Sequence, residues 1–162
     1  DQPTGLMEKQ SAHAKGLCHR AFSNFILRDG KEILLQRRAK DKYHCGDLWT
    51  NTCCSHPRYY EPIVVSAAQR LAAEMGIQNI VLREVGQFHY TANLDSGLTE
   101  NEIDHVFLGE YDGQAFKVNP EEVGEYRWIS IDELRQALQE NPEDFTPWLK
   151  PALKIICDYF SQ

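Results

Sequence analysis

The stretch that most constrains the fold of this chain runs from Thr50 to Pro57 and is followed at once by a helical run, Ile63–Met75. The first half predicts a short strand, because Trp49 and the threonines favour extended structure and Pro57 ends a strand. Gly76 stands where a left-handed cap would end the helix. The helical run carries an amphipathic stripe of Val64, Ala67, Ala68, Leu71, Ala72 and Met75. A strand that leads straight into a helix is therefore predicted at the centre of the fold.

The alternation of side chains along this strand brings a thiol and an imidazole together. Thr52, Cys54 and His56 are expected to face one side of the strand, and Cys53 and Ser55 the other. The thiol and the imidazole then point into the same space. We therefore predict the reaction centre at this unit.

Glu74 is the carboxylate of the following helix, and it has two interpretations. Arg70 lies one turn before it, which predicts a surface ion pair. Glu74 also stands in the last turn, where the helix dipole disfavours a carboxylate by up to about 1 kcal/mol. A carboxylate in this position beside a candidate reaction centre favours a cation-binding role.

The composition is that of an ordinary globular chain. Its 162 residues suit one domain, 1–162, with 42% hydrophobic and 25% charged residues. The net charge of −7 argues against a surface for nucleic acid or anionic membranes, so local basic residues must hold any anionic ligand. No apolar run approaches the roughly 20 residues of a membrane span, and no secretory signal is visible.

The cysteines predict reduced thiols in the cytoplasm. They do not form an even framework, and no CxxC pair indicates a thiolate zinc site. The five are Cys18, Cys45, Cys53, Cys54 and Cys157. Adjacent cysteines on a strand point to opposite faces and do not easily pair with each other.

A hairpin is predicted where Asp29-Gly30 separates two strand-like runs, Arg20–Arg28 and Glu32–Arg38. The loop that follows, from Ala39 to Leu48, begins among closely spaced basic residues. These are Arg37, Arg38, Lys40 and Lys42. Composition is compatible both with a solvated edge strand protected by charge and with an anion site.

The remaining segments complete an α+β pattern, a mixed sheet flanked by helices. Residues 7–16 give only a weak structural signal. The predicted elements are a β-rich segment from Asn79 to Ala92, a polar loop around Gly97, strands Ile103–Tyr111 and Glu125–Ser130, a helix from the Ser130–Glu133 capping box to about Gln139, and a last helix to about Phe160. The expected core face of the last helix is Leu149, Leu153, Ile156 and Phe160. Trp148 at its start is by default a packing residue.

Glu100 and Glu102 stand two residues apart at the start of a predicted strand, so both carboxylates face the same way. Like charges this close are unfavourable unless a cation or a proton lies between them. An isolated pair of this kind is usually solvent-exposed. Histidines elsewhere in the chain favour a metal site instead.

The fragment from Ser55 to Ile77 resembles the Nudix box, G-x5-E-x7-R-E-U-x-E-E-x-G-U, in which U is apolar. Ser55 replaces the first glycine, and Glu61 matches the first glutamate. The Arg-Glu pair becomes Gln69-Arg70, and the adjacent acids become Ala73-Glu74. Most carboxylates that hold magnesium in Nudix hydrolases are thus missing. The resemblance implies the Nudix fold without the hydrolase chemistry.

Nearly the whole chain, from Pro3 to Trp148, resembles the type 1 isopentenyl-diphosphate isomerases, a branch of the Nudix fold that moves a double bond without hydrolysis. The most specific segments are His19-Arg20-Ala21-Phe22-Ser23, Thr50-Asn51-Thr52-Cys53-Cys54-Ser55-His56-Pro57 and Glu100-Asn101-Glu102. The resemblance implies isomerisation of isopentenyl diphosphate to dimethylallyl diphosphate in isoprenoid biosynthesis. The alternatives are a Nudix-type diphosphate hydrolase and a non-catalytic metal-binding scaffold.

The same resemblance implies one divalent metal ion in a site of three histidines and two glutamates: His13, His19, His56, Glu100 and Glu102. Such donors suit Mn²⁺ or Zn²⁺, and two carboxylates also admit Mg²⁺. Glu74 matches the position that holds a second Mg²⁺ against the substrate diphosphate. The residues that match the phosphate clamp are Lys9, Arg38, Lys42 and Arg70, which favours the anion-site interpretation of the basic loop.

The resemblance assigns the two proton transfers to Cys54 and Glu102, with Tyr90 hydrogen-bonded to the carboxylate. The ring of Trp148 would stabilise a tertiary carbocation in a site that excludes water. We expect Glu102 and Tyr90 on the donor side and Cys54 across from them. The expected protein is a cytoplasmic monomer whose partner is a small isoprenoid diphosphate and not a nucleic acid.

The chain departs from the family at His44-Cys45-Gly46-Asp47, where an aromatic-Pro-Gly sequence is common. His44 is therefore interpreted either as a further ligand or as a solvent-exposed side chain. His89 and His105 lie off the metal pattern and are expected to be structural. Cys18 and Cys157 are expected in the core.

Overall fold

One mixed β-sheet with helices on both faces organises the part of the chain that the structure describes. The structure is a computed structural model, and it describes residues 1–94 and 97–161. In chain order the elements are α1 (Lys9–Lys15), β1 (His19–Arg28), β2 (Glu32–Arg38), β3 (Trp49–Thr50), β4 (Cys53–Ser55), α2 (Ile63–Met75), β5 (Arg83–Asn93), β6 (Thr99–Glu110), β7 (Val123–Ser130), α3 (Ile131–Glu140), a 3₁₀ turn (Pro142–Asp144) and α4 (Leu149–Phe160). This confirms the predicted α+β class with a mixed sheet.

Strand β1 is the centre of the sheet, whose order is β3-β2-β1-β6-β5, with β4 paired to β1 and β7 to β2. β1 runs parallel to β6, which sets His19 opposite Glu102. It runs antiparallel to β4, which sets Ser23 opposite Cys54. On the far side of β6, β5 sets Tyr90 opposite Glu102. Pairing thus places Glu102 between a histidine and a tyrosine.

The predicted hairpin is present at the end of β1. Leu27 pairs with Ile33, and the turn residues Asp29 and Gly30 have φ angles of 54° and 62°. Two positive φ angles are what a tight hairpin turn requires, and Asp-Gly adopts them readily. This pairing is short, because most of β1 is engaged by β4 and β6.

The hydrophobic core lies on both faces of the sheet. Helix α2 packs on one face, where the buried residues include Phe22, Ile26, Cys53, Ala67, Leu71 and Met75. Helices α3 and α4 pack on the other, where they include Phe25, Leu27, Val106, Leu134, Leu149 and Ile156. Burial of each large side chain stabilises the fold by about 1.5–3 kcal/mol. In the described residues, no helix has both the length and the apolar character required to cross a membrane.

The predicted strand at Thr50–Pro57 is in fact two short strands with a bend at residues 51–52. Thr52 does not share the orientation predicted for it beside Cys54 and His56. Its hydroxyl group donates to the carbonyl of Leu34 at 2.6 Å and accepts from the amide of Ile26 at 2.9 Å. These bonds hold the bend in the sheet interior, where backbone groups need partners.

The buried face of α2 is shifted from the predicted stripe. Val64 is 39% exposed and Ala68 is also exposed, whereas Ser66 and Glu74 are buried. Both polar side chains have hydrogen-bond partners, which offset the free-energy cost of their burial. A hydrophobic pattern alone does not detect such partners.

Helix α1 forms in residues 9–15, a segment with only a weak structural signal in its sequence. Both carboxylate oxygens of Glu8 accept backbone amide protons at its start, from Gln10 and Ser11. Gly16, with a φ angle of 60°, ends it in the left-handed conformation. The helix thus depends on its caps more than on an apolar stripe.

Three further expectations are corrected. Phe160 is 49% exposed, because it lies in the final turn of α4 against Tyr159 rather than in the core. Cys18 is exposed in the connection between α1 and β1, while Cys157 is partly buried against the core. Strand β5 begins at residue 83, since the positive φ angle of Asn79 interrupts extended structure before it. The polar loop predicted around Gly97 includes residues 95 and 96, which lie outside the described residues.

Candidate active site

The three histidines and two glutamates predicted as metal ligands meet where α1 lies against β6. Their ligand atoms are all within 4.8 Å of one another, and the residues are His13, His19, His56, Glu100 and Glu102. His13 comes from α1, His19 opens β1, and His56 follows β4. The two glutamates share one face of β6, as predicted, and are 2% and 5% exposed.

Glu102 is the centre of this cluster. Its Oε1 atom is 2.7 Å from Nε2 of His56, 3.2 Å from that of His19 and 3.7 Å from that of His13. Burial opposes ionisation of Glu102, but the hydrogen bonds from these imidazoles outweigh it and hold the pKa well below its usual value. Burial, with the neighbouring charge of Glu102, raises the pKa of Glu100.

The donor set fits a divalent metal ion. Two imidazole nitrogens, Nε2 of His13 and Nε2 of His19, face each other at 3.1 Å. Nε2 of His13 is also 3.6 Å from Oε2 of Glu100. Nitrogen lone pairs and buried carboxylates that converge on one point are costly without a cation between them. Mixed imidazole and carboxylate donors suit Mn²⁺ or Zn²⁺, and the carboxylates also admit Mg²⁺.

A cavity of about 330 Å³, a volume that includes its opening to solvent, lies beside the cluster, and all four predicted catalytic residues line it. They are Cys54, Tyr90, Glu102 and Trp148. Burial raises the pKa of the Cys54 thiol to about 12, an effect that the charge of Arg38 opposes. In the metal-free protein the thiol therefore holds its proton while Glu102 is ionised.

Tyr90 is hydrogen-bonded to the carboxylate. Its hydroxyl group donates to Oε2 of Glu102 at 2.6 Å and lies 3.4 Å from Oε2 of Glu100. Burial and the two carboxylate charges raise the pKa of Tyr90, so the phenol stays protonated. The pairing of β5 with β6 explains this contact, since it sets the two residues opposite each other.

Trp148 forms an aromatic wall of the cavity and is 3% exposed. The ring centroid of Trp148 lies 6.4 Å from that of Tyr90. The guanidinium carbon of Arg38 lies 5.6 Å from the Trp148 centroid. Nε1 donates to Oδ1 of Asn51 at 3.2 Å, which fixes the indole. Asn51 is a site residue that sequence reasoning missed, although it lies within the stretch singled out first.

Lys9 and Arg38 are the two predicted phosphate-clamp residues that line the cavity. Arg38 is 7% exposed, and its guanidinium donates to the carbonyls of His44 and Cys45 at 3.2 and 3.1 Å. Within residues 1–94 and 97–161, no carboxylate forms an ion pair with Arg38. A buried cation without a counter-charge is suited to an anionic ligand.

Lys42, Arg70 and Glu74 are not brought into the wall of this cavity. Lys42 forms an ion pair with Glu122, which also lies 3.0 Å from Arg70. Nε of Arg70 donates to one oxygen of Glu74 at 2.5 Å, and Gln36 donates to the other at 2.7 Å. Glu74 is thus buried with both oxygens occupied, and it is not part of the cluster of five. Arg70 lines a neighbouring cavity of about 380 Å³.

Asp104 also lines the reaction cavity and was absent from the predicted site. It is 1% exposed, and Ser23 donates to its Oδ2 atom at 2.8 Å. The signal was present in the sequence, because Glu100, Glu102 and Asp104 alternate along one strand and therefore share a face.

His44 is not solvent-exposed, which corrects that interpretation from sequence, and it is not one of the five clustered residues. It is 9% exposed, and its Nε2 atom lies 3.3 Å from Oε1 of Glu100. The other histidines outside the cluster have protein partners. His89 bonds to Asn101 at 2.8 Å, and His105 lies between Glu84 at 2.8 Å and Asp1 at 2.9 Å.

Comparison with known proteins identifies the family of the chain. Residues 18–149 match the family described as the NUDIX domain. An isopentenyl-diphosphate Delta-isomerase of Pectobacterium atrosepticum is 44% identical over 160 residues, which span 99% of this chain and 88% of that protein. One of Rhodobacter capsulatus is 47% identical over 145 residues, which span 89% of this chain and 82% of that protein.

Solved structures show the same fold. A MutT protein from Methanosarcina mazei Go1 superposes with a TM-score of 0.72 at 18% identity, over 90% of this chain and 96% of that one. The family is fixed by the sequence relatives, which are far more similar. The chain belongs to the isopentenyl-diphosphate Delta-isomerases, a family of NUDIX-domain proteins.

Proposed function

We propose that this protein isomerises isopentenyl diphosphate to dimethylallyl diphosphate, a step of isoprenoid biosynthesis. The reaction adds a proton to one end of an unactivated alkene and removes another nearby, through a tertiary carbocation. The observation that carries the proposal is one cavity lined by Cys54, the Tyr90–Glu102 pair and Trp148, beside the cluster of three histidines and two glutamates.

Cys54 and Glu102 are the two proton-transfer groups of the proposal. Toward dimethylallyl diphosphate, the thiol of Cys54 donates its proton to the terminal CH₂ carbon of the alkene, and Glu102 removes a proton from the carbon beside the cation. Burial, which favours the protonated thiol, and the imidazoles, which favour the ionised carboxylate, support this direction. It reverses the direction expected from the sequence. Tyr90 orients the carboxylate through its hydrogen bond.

Trp148 and Arg38 complete the cavity. The indole face stabilises the positive charge of the intermediate, and the burial of Glu102 and Trp148 limits the access of water that would trap it. Arg38 and Lys9 hold the diphosphate in the cavity, and Lys42 and Arg70 are further basic residues of the proposed clamp.

The five clustered residues would hold one divalent ion, Mn²⁺, Mg²⁺ or Zn²⁺, whose positive charge would keep Glu102 ionised. Glu74 would hold the Mg²⁺ that accompanies the substrate diphosphate, and for this it must release Arg70 and Gln36.

We further propose a single-domain cytoplasmic monomer that acts on a small isoprenoid diphosphate. The net charge of −7 supports the exclusion of nucleic acid as a partner.

Incubation with isopentenyl diphosphate in D₂O tests the function. The proposal expects dimethylallyl diphosphate with deuterium in a methyl group, detected by NMR. Release of phosphate would instead indicate a diphosphate hydrolase, which the loss of Nudix-box acids at Arg70 and Ala73 argues against. Absence of both reactions would indicate a metal-binding scaffold.

The direction of proton transfer has its own test. In Glu102→Gln, Cys54 still protonates the alkene, but the second proton cannot be removed by residue 102. The cation then returns to isopentenyl diphosphate, which should gain deuterium at its terminal CH₂ without forming product. Unlabelled substrate from a variant that still binds Mn²⁺ in calorimetric titration would assign the donor role to Glu102.

A further inference from the structure

The segment Tyr43–His44 touches the candidate metal ligands at two points, although neither residue is among the five. Tyr43 contacts His13, and His44 contacts Glu100. We propose that Tyr43 and His44 are positioning residues that orient His13 and Glu100 for metal binding. The inference rests on the proposed metal site, and it is independent of the isomerase chemistry.

The contact between Tyr43 and His13 fixes the imidazole at the ring nitrogen that faces away from the cluster. The Tyr43 hydroxyl oxygen lies 2.5 Å from Nδ1 of His13, while Nε2 of the same ring faces the cluster. The two rings are nearly parallel, at 21° and 5.8 Å between centroids. A metal-binding histidine commonly donates its second ring N–H to an acceptor, which sets both the tautomer and the ring orientation. The phenol oxygen is placed to be that acceptor.

The contact between His44 and Glu100 acts on the carboxylate. Nε2 of His44 is 3.3 Å from Oε1 of Glu100, whereas Oε2 of Glu100 is the oxygen closest to His13. One oxygen is thus held by His44, and the other is left to face the cluster. The ring of His44 is fixed in turn by edge-on contacts with Tyr43 at 4.3 Å and with Trp148 at 6.1 Å.

The backbone holds this segment in a defined shape. Arg38 donates to the carbonyls of His44 and Cys45. Cys45 and Asp47 have φ angles of 49° and 66°, so the loop turns through two left-handed residues. Between them, Gly46 lies so close to the carbonyl oxygen of residue 40 that a Cβ atom would be 2.4 Å from it. Such a loop can position a side chain, because its own conformation is strongly restricted.

Calorimetric titration of the chelator-treated protein with MnCl₂ tests the proposal without substrate. Outer contacts of this kind typically contribute about 10- to 100-fold in metal affinity. We expect Tyr43→Phe, which removes only the hydroxyl group, to weaken Mn²⁺ binding by that factor. We expect His44→Phe, which keeps a flat ring without the donor, to weaken it as well. Tyr60→Phe is the matched control, since Tyr60 is 88% exposed, and it should bind Mn²⁺ as the parent protein does.

Thermal unfolding of the metal-free variants separates positioning from folding. Weaker Mn²⁺ binding with an unchanged Tm supports the proposal. Three outcomes would overturn it. The first is unchanged affinity in both variants, and the second is a loss of affinity accompanied by a lower Tm. The third is a parent protein that does not bind Mn²⁺. A parent protein that binds Mn²⁺ but forms no labelled product would refute the proposed function alone.

Discussion

The carboxylate of Glu102 divides its two oxygen atoms between two sets of partners. Oε2 accepts a hydrogen bond from the Tyr90 hydroxyl at 2.6 Å, while Oε1 faces the imidazoles of His56, His19 and His13. Tyr90 and Glu102 stand opposite each other on neighbouring strands, so the sheet itself sets this geometry. One side chain can therefore serve the metal cluster and the reaction cavity through different atoms.

Tyr90→Phe should separate these two roles. Loss of the hydroxyl group leaves Oε2 without its donor, and we expect kcat to fall by about 10²-fold, in the range of positioned proton-transfer groups. Mn²⁺ affinity should fall by no more than the roughly 10-fold of a weak outer contact, because the imidazoles contact the other oxygen of Glu102. NMR turnover assays and calorimetry measure the two quantities. Tyr126→Phe, at a tyrosine that is 44% exposed, is the control, and equal kcat values in both variants would contradict the assignment.

Cys54→Ala should abolish turnover, since the proposal gives the alkene no other donor in that position. The fold should persist, because the loss of one small, partly exposed side chain costs little packing. Cys157→Ala, at a thiol far from the cavity lining, should retain normal turnover. Activity assays with circular dichroism check both variants. Near-normal rates in Cys54→Ala would remove the thiol from the chemistry.

Asp104→Asn should stabilise the metal-free protein as the pH rises. Burial and then the charge of Glu102 raise the pKa of Asp104 well above its usual value, with the Ser23 hydrogen bond opposing them. The unfolded chain therefore loses this proton near pH 4 while the folded chain keeps it, so the free energy of unfolding falls by up to about 1.4 kcal/mol per pH unit above that point. Asparagine has no proton to lose.

Urea unfolding in the presence of EDTA measures this effect. The variant should gain on the parent protein between about pH 5 and pH 7, because only the parent carries the cost of keeping a buried carboxyl protonated. Superimposable pH dependences for the two proteins would show that Asp104 is ionised in the fold.

Ser130→Ala should destabilise the protein by about 1 kcal/mol without affecting turnover. Ser130 accepts from the amide of Glu133 at 3.2 Å, and the Glu133 carboxylate accepts from the amide of Ser130 at 3.1 Å. The substitution removes the side-chain half of this cap at the start of α3, far from the cavity. Urea unfolding gives the change in free energy, and an unaltered midpoint would mean that the cap contributes nothing.

Much of this structure could be predicted because its signals are local. The Asp29-Gly30 turn and the Ser130–Glu133 cap each depend on neighbours within a few residues, and both formed as predicted. The Glu100/Glu102 pair depends only on strand alternation, and it too is present. Resemblance to a family supplied the rest of the ligand set.

The features that were missed depend on partners distant in sequence. Glu74 is buried because Gln36 and Arg70 meet both of its oxygens, and a helical pattern contains no information about Gln36. Tyr43 and His44 gain their positions from Arg38 and Trp148, which only the folded loop brings near. Such contacts become visible once tertiary structure is known.

Helix α1 carries Lys9 and His13 one turn apart, so in the proposed mechanism one short helix supplies a side chain to the phosphates and another to the ion. Seven residues are too few to form a stable helix alone. The order of α1 therefore depends on its caps and on the contacts that its side chains make. When His13 binds the ion, α1 is ordered and Lys9 is positioned. When Lys9 binds a phosphate, the same ordering of α1 positions His13. Cofactor and substrate should consequently bind with positive cooperativity, transmitted through one turn of backbone.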